Sequence, residues 1–290
     1  MLRALELGGL SLFWLDGGGF RLDGGSLFGP VPRPRWSAVC PPADDNSLPM
    51  TAHVVLVQDG STWGLIDSGF GHHLSERQRG FYSLERDSQL HEGLASLGLS
   101  PTQVDWVVLT HLHLDHAGGV LGRDGHGQVA PVFANAPIWV QALEAREARD
   151  PSNRAHGVYT GDAFDRLEAL DLVREVDGQA ELSPRVRLFL TGGHSRGHQG
   201  VLLEGSGAAA AVCLGDLLVT HAHLPVAWVS ALDDFPLDTI RAKREWLARA
   251  AERDWWVAFS HDPRYVAGRL GPDGRLLQAR SPAGEVSAVS

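Results

Sequence analysis

Short apolar runs bounded by glycine, proline and aspartate recur along this chain and set its expected elements. Residues 10–15 form one such run before Asp16-Gly17-Gly18-Gly19. Residues 53–57 form another, followed by Asp59-Gly60 and then by the run 63–67, which has the form of a strand, a turn and a strand. Between these runs, residues 28–49 hold six prolines, which predicts an irregular loop rather than a linker between domains. Residues 74–97 mix apolar and charged positions in the manner of one or two helices, and the run 104–109, entered through Ser100-Pro101, reads as a buried strand.

Farther along, helices are expected over 138–149 and 162–170, and strands over 186–190 and 208–214. From 237 to 253 the residues Leu237, Ile240, Trp246, Leu247 and Ala250 recur at helical spacing among strong helix formers, and 255–259 closes the pattern as a last strand. Strands before and after helices in both halves predict two sheets with helices outside them. The expected organisation is a single domain over 1–290, with no internal repeat or low-complexity tract.

Metal-binding side chains follow the ends of those strands. His111, His113, Asp115 and His116 follow the run 104–109, His194 follows 186–190, Asp216 follows 208–214 and His261 follows 255–259. Loops at strand ends can bring distant residues to one rigid edge. Imidazoles at i and i+2, His111 and His113, can reach one ion from a tight loop. His194 is the expected third ligand, and the position left open for water marks a catalytic site. Asp115 and His116 point the other way along the loop and, with His261, would bind a second ion, while Asp216 offers a carboxylate able to bridge both. Two ions about 3.5–4 Å apart would share a hydroxide, and the site would keep roughly one positive charge to stabilise an oxyanion. Without a cation, the imidazoles and carboxylate packed into residues 111–116 would repel and desolvate one another. His53, His72, His73, His91, His126 and His156 read instead as surface or hydrogen-bonded histidines.

Charge and composition narrow the class. Twenty-five basic against 35 acidic residues give a formal net charge of -10, the wrong sign for tracking a phosphate backbone, so no nucleic-acid partner is expected. With 43% hydrophobic and 21% charged residues, wholesale disorder is not expected. Cys40 and Cys213 imply no disulfide framework, and Cys213 lies in an apolar run as a small buried hydrophobe would. Glu6, Gly8 and Gly9 interrupt the first residues without a small-residue cleavage site, and no apolar stretch approaches the roughly 20 residues of a membrane span. A cytoplasmic location and no membrane partner are the expectations.

The segment His111-Leu112-His113-Leu114-Asp115-His116 resembles the His-x-His-x-Asp-His signature of the metallo-β-lactamase superfamily. Leu65-Ile66-Asp67-Ser68-Gly69 resembles its early strand ending in Asp-Thr-Gly. Gly193-His194-Ser195-Arg196-Gly197-His198 resembles its Gly-His-Thr-x-Gly-His segment, and Gly215-Asp216 and Ser260-His261-Asp262 match its last two ligand positions. The resemblance runs through most of the chain. It implies an α/β (α+β) protein folded as a four-layer αβ/βα sandwich, with a dinuclear site along one edge of the packed sheets. It also implies that His194 is a ligand, that His198 supports its loop, and that Asp67 orients the metal loop.

Departures narrow the branch. True β-lactamases of this fold lack an Asp in the bridging place, so Asp216 argues against antibiotic hydrolysis. Di-iron flavoprotein relatives have Glu where this chain has His113, which argues against oxygen reduction. The N-acyl-homoserine lactonases look closer, although many carry a Tyr three residues past the bridging Asp, where this chain has Val219. Residues 215–223, followed by Trp228 and the 237–253 helix, resemble a branch with lactonase-like and organophosphate-hydrolysing members.

The expected function is therefore a dinuclear metal-dependent hydrolase whose bridging hydroxide cleaves a small ester, lactone or phosphotriester, with Asp115 and Asp216 as catalytic residues and Asp115 passing a proton to the leaving group. The expected cofactors are two divalent ions, zinc first, with manganese, iron(II) and cobalt compatible. His221 and His223 are candidates to hydrogen-bond substrate, and Trp36, Phe28 and Trp228 to wall an apolar pocket. The rival reading is a mononuclear iron oxidoreductase like the persulfide dioxygenases; a nuclease is least favoured by the charge. The partner is a small molecule, and the 28–49 segment is left to cover the pocket or to mediate a homodimer.

Overall fold

A computed structural model of the protein describes residues 3–150, 157–159 and 162–289; His156 lies outside the described residues. Strand Leu10–Asp23 pairs antiparallel with Ser47–Asp59, which turns at Gly60 into Thr62–Ile66. Gly60 has φ +61°, the left-handed backbone that a tight turn demands and that glycine takes without strain. Among the described residues these strands belong to a seven-stranded sheet: Leu5–Glu6, Leu10–Asp23, Ser47–Asp59, Thr62–Ile66, Trp106–Val108, Ile138–Gln141 and Val173–Val176, in that order, with the last four parallel. An eight-stranded sheet follows, running Gln179–Ser183, Val186–Leu190, Gln199–Glu204, Ala210–Cys213, Trp256–Ala258, Ala267–Leu270, Leu276–Arg280 and Val286–Ala288. In it only Ala210–Cys213 and Trp256–Ala258 pair parallel.

The two-residue period of each strand assigns its two faces to two different cores. Val55 and Val57 pack with Val201, Leu203, Ala211 and Cys213 between the sheets. Their neighbours Val54 and Leu56 pack outward, in one cluster with Leu90 and Leu94 of helix Leu90–Ser96 and Ala145 of helix Ala142–Arg149. On the far side, Ala210 and Val212 face Leu247 and Ala250 of helix Pro236–Glu252. The result is helix, sheet, sheet, helix: the four-layer sandwich. No helix among the described residues is long and apolar enough to cross a membrane.

Three local expectations change. Residues 138–141 are a strand, and the helix begins only at Ala142, because Ile138-Trp139-Val140 pairs with strands on both sides and is shielded there. Asp16 to Gly19 is a bulge inside one long strand, not a turn, and its glycines admit a crossing chain: a Cβ on Gly69 would stand 2.4 Å from Gly17 Cα. The 28–49 segment is not wholly irregular. Phe28 ends helix Gly24–Phe28, Pro34 sits early in the short helix Arg33–Trp36 where its missing N–H costs nothing, and Ser47 to Pro49 already belong to a strand.

Candidate metal centre

Five strands end at one edge of the sandwich. Ile66 and Val108 are paired neighbours, as are Cys213 and Ala258, and together with Leu190 they lead within a few residues to Asp67, His111, Asp216, His261 and His194. The backbone is anchored there by Asp67 N–H on Val108 O at 2.8 Å, Gln199 N–H on Thr110 O at 2.8 Å and His261 N–H on Val219 O at 2.9 Å.

The seven expected ligands come together in two adjoining groups. His111, His113 and His194 form one and Asp115, His116, Asp216 and His261 the other, with the ligand atoms of each group within 4.8 Å of one another. His113 Nδ1 faces His194 Nε2 at 3.1 Å, and His116 Nε2 faces His261 Nε2 at 2.9 Å. Asp216 stands between the groups. Its Oδ1 lies 3.1 Å from His116 Nε2 and 3.0 Å from His261 Nε2, while its Oδ2 lies 3.6 Å from His194 Nε2.

His116, His194 and the loop-joining His198 are oriented from behind. Asp67 accepts hydrogen bonds from Thr110 N–H at 2.7 Å and from His116 Nδ1 at 2.9 Å, and it does so from a left-handed backbone (φ +60°) that few non-glycine residues adopt. Asp233 holds His194 Nδ1 at 2.9 Å, and Ser260 donates to Asp216 Oδ1 at 2.9 Å. His198 donates from Nδ1 to Thr191 Oγ1 at 2.6 Å and accepts the Asp216 N–H on Nε2 at 3.2 Å, so it joins the two loops as a neutral ring. Asp233, Ser260 and Thr110 were not legible as partners in the sequence, since ordinary Asp, Ser and Thr residues carry no spacing signal.

The donor set fits divalent ions. His111 Nε2 is buried without a hydrogen-bond partner, a costly state for an imidazole unless its lone pair meets a cation. Burial, then repulsion from His116, His113 and His194, holds His111 well below the usual histidine pKa; burial and His194 do the same to His113. Both rings are thus neutral, the form that ligates metal. Around His116 burial is outweighed by Asp216, Asp115 and Asp67, which push its pKa well up and mark that group as the carboxylate-rich one.

A family model of the metallo-beta-lactamase superfamily matches residues 48–261. The chain belongs to the metallo-β-lactamase superfamily. Within it, the chain is similar to the N-acyl homoserine lactonase AttM of Agrobacterium fabrum, 27% identical over 236 residues, covering 76% of this chain and 84% of that protein. Among solved structures, a probable metal-dependent hydrolase from Staphylococcus aureus superposes with a TM-score of 0.87 at 31% identity, covering 94% of this chain and 96% of that one. AidC, a dizinc quorum-quenching lactonase, shares the fold with a TM-score of 0.76 at 20% identity, over 100% of this chain and 97% of its own. This superfamily member is a metal-dependent hydrolase with a histidine and aspartate cluster for divalent metal ions.

In this metallo-β-lactamase-superfamily hydrolase the cluster lies at the floor of a cavity of about 450 Å³ reached by His113, Asp115, His194, Asp216 and His261. Leu22, Leu27, Val158 and Val219 give it apolar walls, Arg21 brings a guanidinium to its lining, and Phe81 and Leu232 stand at it with 65% and 44% of their surface exposed. Tyr82, unremarked in the sequence, also lines it; burial and the charges of Asp115 and Asp216 push its phenol well above the usual range, so it stays a hydrogen-bond donor.

The expected pocket residues lie elsewhere. Phe28 stacks between Trp36, at 5.1 Å, and His223, at 4.7 Å, in a buried cluster behind the cavity, with Trp228 edge-on at 5.9 Å. His223 is held by Leu27 O at 3.0 Å and Thr220 Oγ1 at 2.9 Å. His221 pairs with Asp262, and with Trp228 it lines a separate groove of about 1470 Å³. Phe28, Trp36 and Trp228, expected to wall a pocket, instead pack on one another, which keeps their apolar area out of water.

Proposed function

We propose that the protein is a dinuclear hydrolase, acting as one domain over 1–290, that opens a lactone or cleaves an ester bearing an apolar substituent. The observation that carries this reading is the Asp216 carboxylate, one oxygen toward His116 and His261 and the other toward His194. His111, His113 and His194 would hold one ion, Asp115, His116 and His261 the other, and Asp216 both, with zinc the first choice for such donors. When bound, two such ions supply a water acidic enough to attack at neutral pH and an electrophile for the substrate oxygen.

The chain's own residues do the rest. The apolar walls from Leu22, Leu27 and Val219 exclude water and take the substituent. Tyr82 offers a proton-bearing phenol beside Asp115, where a substrate oxygen would gather charge, and Asp115, which lines the cavity, would pass a proton to the leaving alcohol. The name of the Agrobacterium relative, an N-acyl homoserine lactonase, supports a lactone with an acyl tail over a phosphotriester. The four candidate ligands of the second group argue against the mononuclear iron oxidoreductase.

The test is turnover of aryl esters, acylated and short lactones, phosphotriesters and a cephalosporin by metal-analysed protein, with and without chelator. The expected result is chelator-sensitive hydrolysis of acylated lactones with about two ions per chain. One iron per chain with no hydrolysis of any substrate would overturn the reading.

A further inference from the structure

Glu144 takes no part in the reaction proposed above, yet it is fully buried, a place that a carboxylate tolerates only when its oxygens are paired. One oxygen accepts the Leu112 N–H at 2.9 Å and the other accepts the Ser195 hydroxyl at 2.5 Å. Leu112 lies between His111 and His113, and Ser195 directly follows His194. From the first turn of helix Ala142–Arg149, one side chain therefore fastens both loops that carry the three-histidine group. The backbone makes the same junction: a Cβ on Gly197 would stand 2.0 Å from Glu144 N, so the loop reaches this helix only because residue 197 has no side chain. The other group has anchors that Glu144 does not touch, Ser260 beside Asp216 and Asp67 behind His116, although Asp67 also takes the Thr110 N–H ahead of His111.

We infer that Glu144 is a positioning residue for the three-histidine group, fixing His111 and His113 relative to His194 and so setting the affinity for the ion they hold. The inference rests on the two-metal reading. Its physical basis is that His113 and His194, 81 residues apart, meet only through loops whose ordering would otherwise be charged against metal binding.

The experiment is cobalt(II) titration of the chelator-stripped full chain, followed by ligand-field absorption and chelator competition, for wild type, Glu144→Ala, Glu144→Gln and Ser195→Ala. Glu144→Ala is expected to weaken one of two ions about 10–100-fold and leave the other unchanged. Glu144→Gln, whose amide oxygen still accepts from Leu112 and whose NH₂ can donate to the Ser195 oxygen, is expected to restore most of that affinity. Equal weakening of both ions, or none, would overturn the assignment. Should Glu144→Ala not fold, Ser195→Ala carries the test: a weaker single ion supports the role and an unchanged titration refutes it. A wild type that takes up only one ion overturns the two-metal reading instead; the role of Glu144 then survives only if Glu144→Ala weakens that ion and Glu144→Gln recovers it.

Discussion

Asp233 accepts a 2.9 Å hydrogen bond on Oδ1 from His194 Nδ1, across 39 residues of sequence. This fixes the tautomer of His194 and turns its Nε2 toward His113 and Asp216. A ligating histidine depends on such a partner, and its loss commonly costs 10–100-fold in metal affinity or activity. Asp233→Ala is therefore expected to lower chelator-competition affinity and kcat/KM by about that factor, while Asp233→Asn, which keeps an acceptor oxygen, loses less. Equal losses in the two variants would mean that the loop, not the hydrogen bond, matters.

Asp216 is the residue on which the two-metal reading depends. Asp216→Ala and His113→Ala are each expected to lower kcat by about 10³-fold or more and to reduce the metal content by one ion, with near-native far-UV circular dichroism. Full activity in either variant would sink the scheme.

What the sequence made legible follows from the kind of signal each feature leaves. The short apolar runs and the clustered imidazoles are dense local patterns, so the strands at 53–57 and 186–190 and the residues His111 to His116 stood out. Strands such as Gln199–Glu204, with polar ends, and Leu276–Arg280, only five residues long, take their structure from pairing with neighbours, a tertiary cause that local propensity does not carry. Asp233, Glu144 and Tyr82 are single residues of common types, recognisable only once the fold sets them against His194, Leu112 and Asp115. The stack of Trp36, Phe28 and His223 shows the reverse error, aromatic residues read as a pocket where they pack a core.

Phe81 and Leu232 come from separate segments and leave apolar surface exposed at the cavity. Truncating either removes contact with a long substituent and none with the reacting group. Phe81→Ala and Leu232→Ala are expected to raise KM about tenfold for long-chain acyl lactones, with kcat and the KM of a short-chain analogue unchanged, because one lost apolar contact is worth about 1–3 kcal/mol. A uniform fall in kcat across chain lengths would show that these residues shape the site rather than the specificity.

Metal removal is expected to destabilise as well as inactivate, because an ion that binds only the folded chain adds its binding free energy to stability and its loss leaves a buried donor such as His111 Nε2 without a partner. Ions at 100 times their Kd stabilise the folded state by about 2.7 kcal/mol each, which for a chain of this size is roughly 5 °C or more in Tm. Scanning calorimetry before and after dialysis against chelator measures it, and re-addition of zinc should restore both Tm and turnover. An unchanged Tm would mean that the cluster holds no ion in the folded protein.

The fold also writes a pH dependence at His223, which is not one of the candidate ligands. Burial, helped by the charge of Lys243, lowers the His223 pKa to about 4, against an ordinary value of 6.5. Above pH 6.5 the ring is neutral in both states and its contribution is fully present. Between 6.5 and about 4 the unfolded chain binds a proton that the folded chain refuses, so stability falls as pH drops, by up to about 1.4 kcal/mol per pH unit. His223→Phe keeps the stack on Phe28 but gives up the hydrogen bonds to Leu27 O and Thr220. It is expected to be less stable at pH 8 by about 1–3 kcal/mol and to lose less stability on acidification. Urea unfolding of both metal-free proteins at pH 8, 6.5 and 5 reads the difference in slope, and parallel curves would show that the fold does not hold His223 neutral.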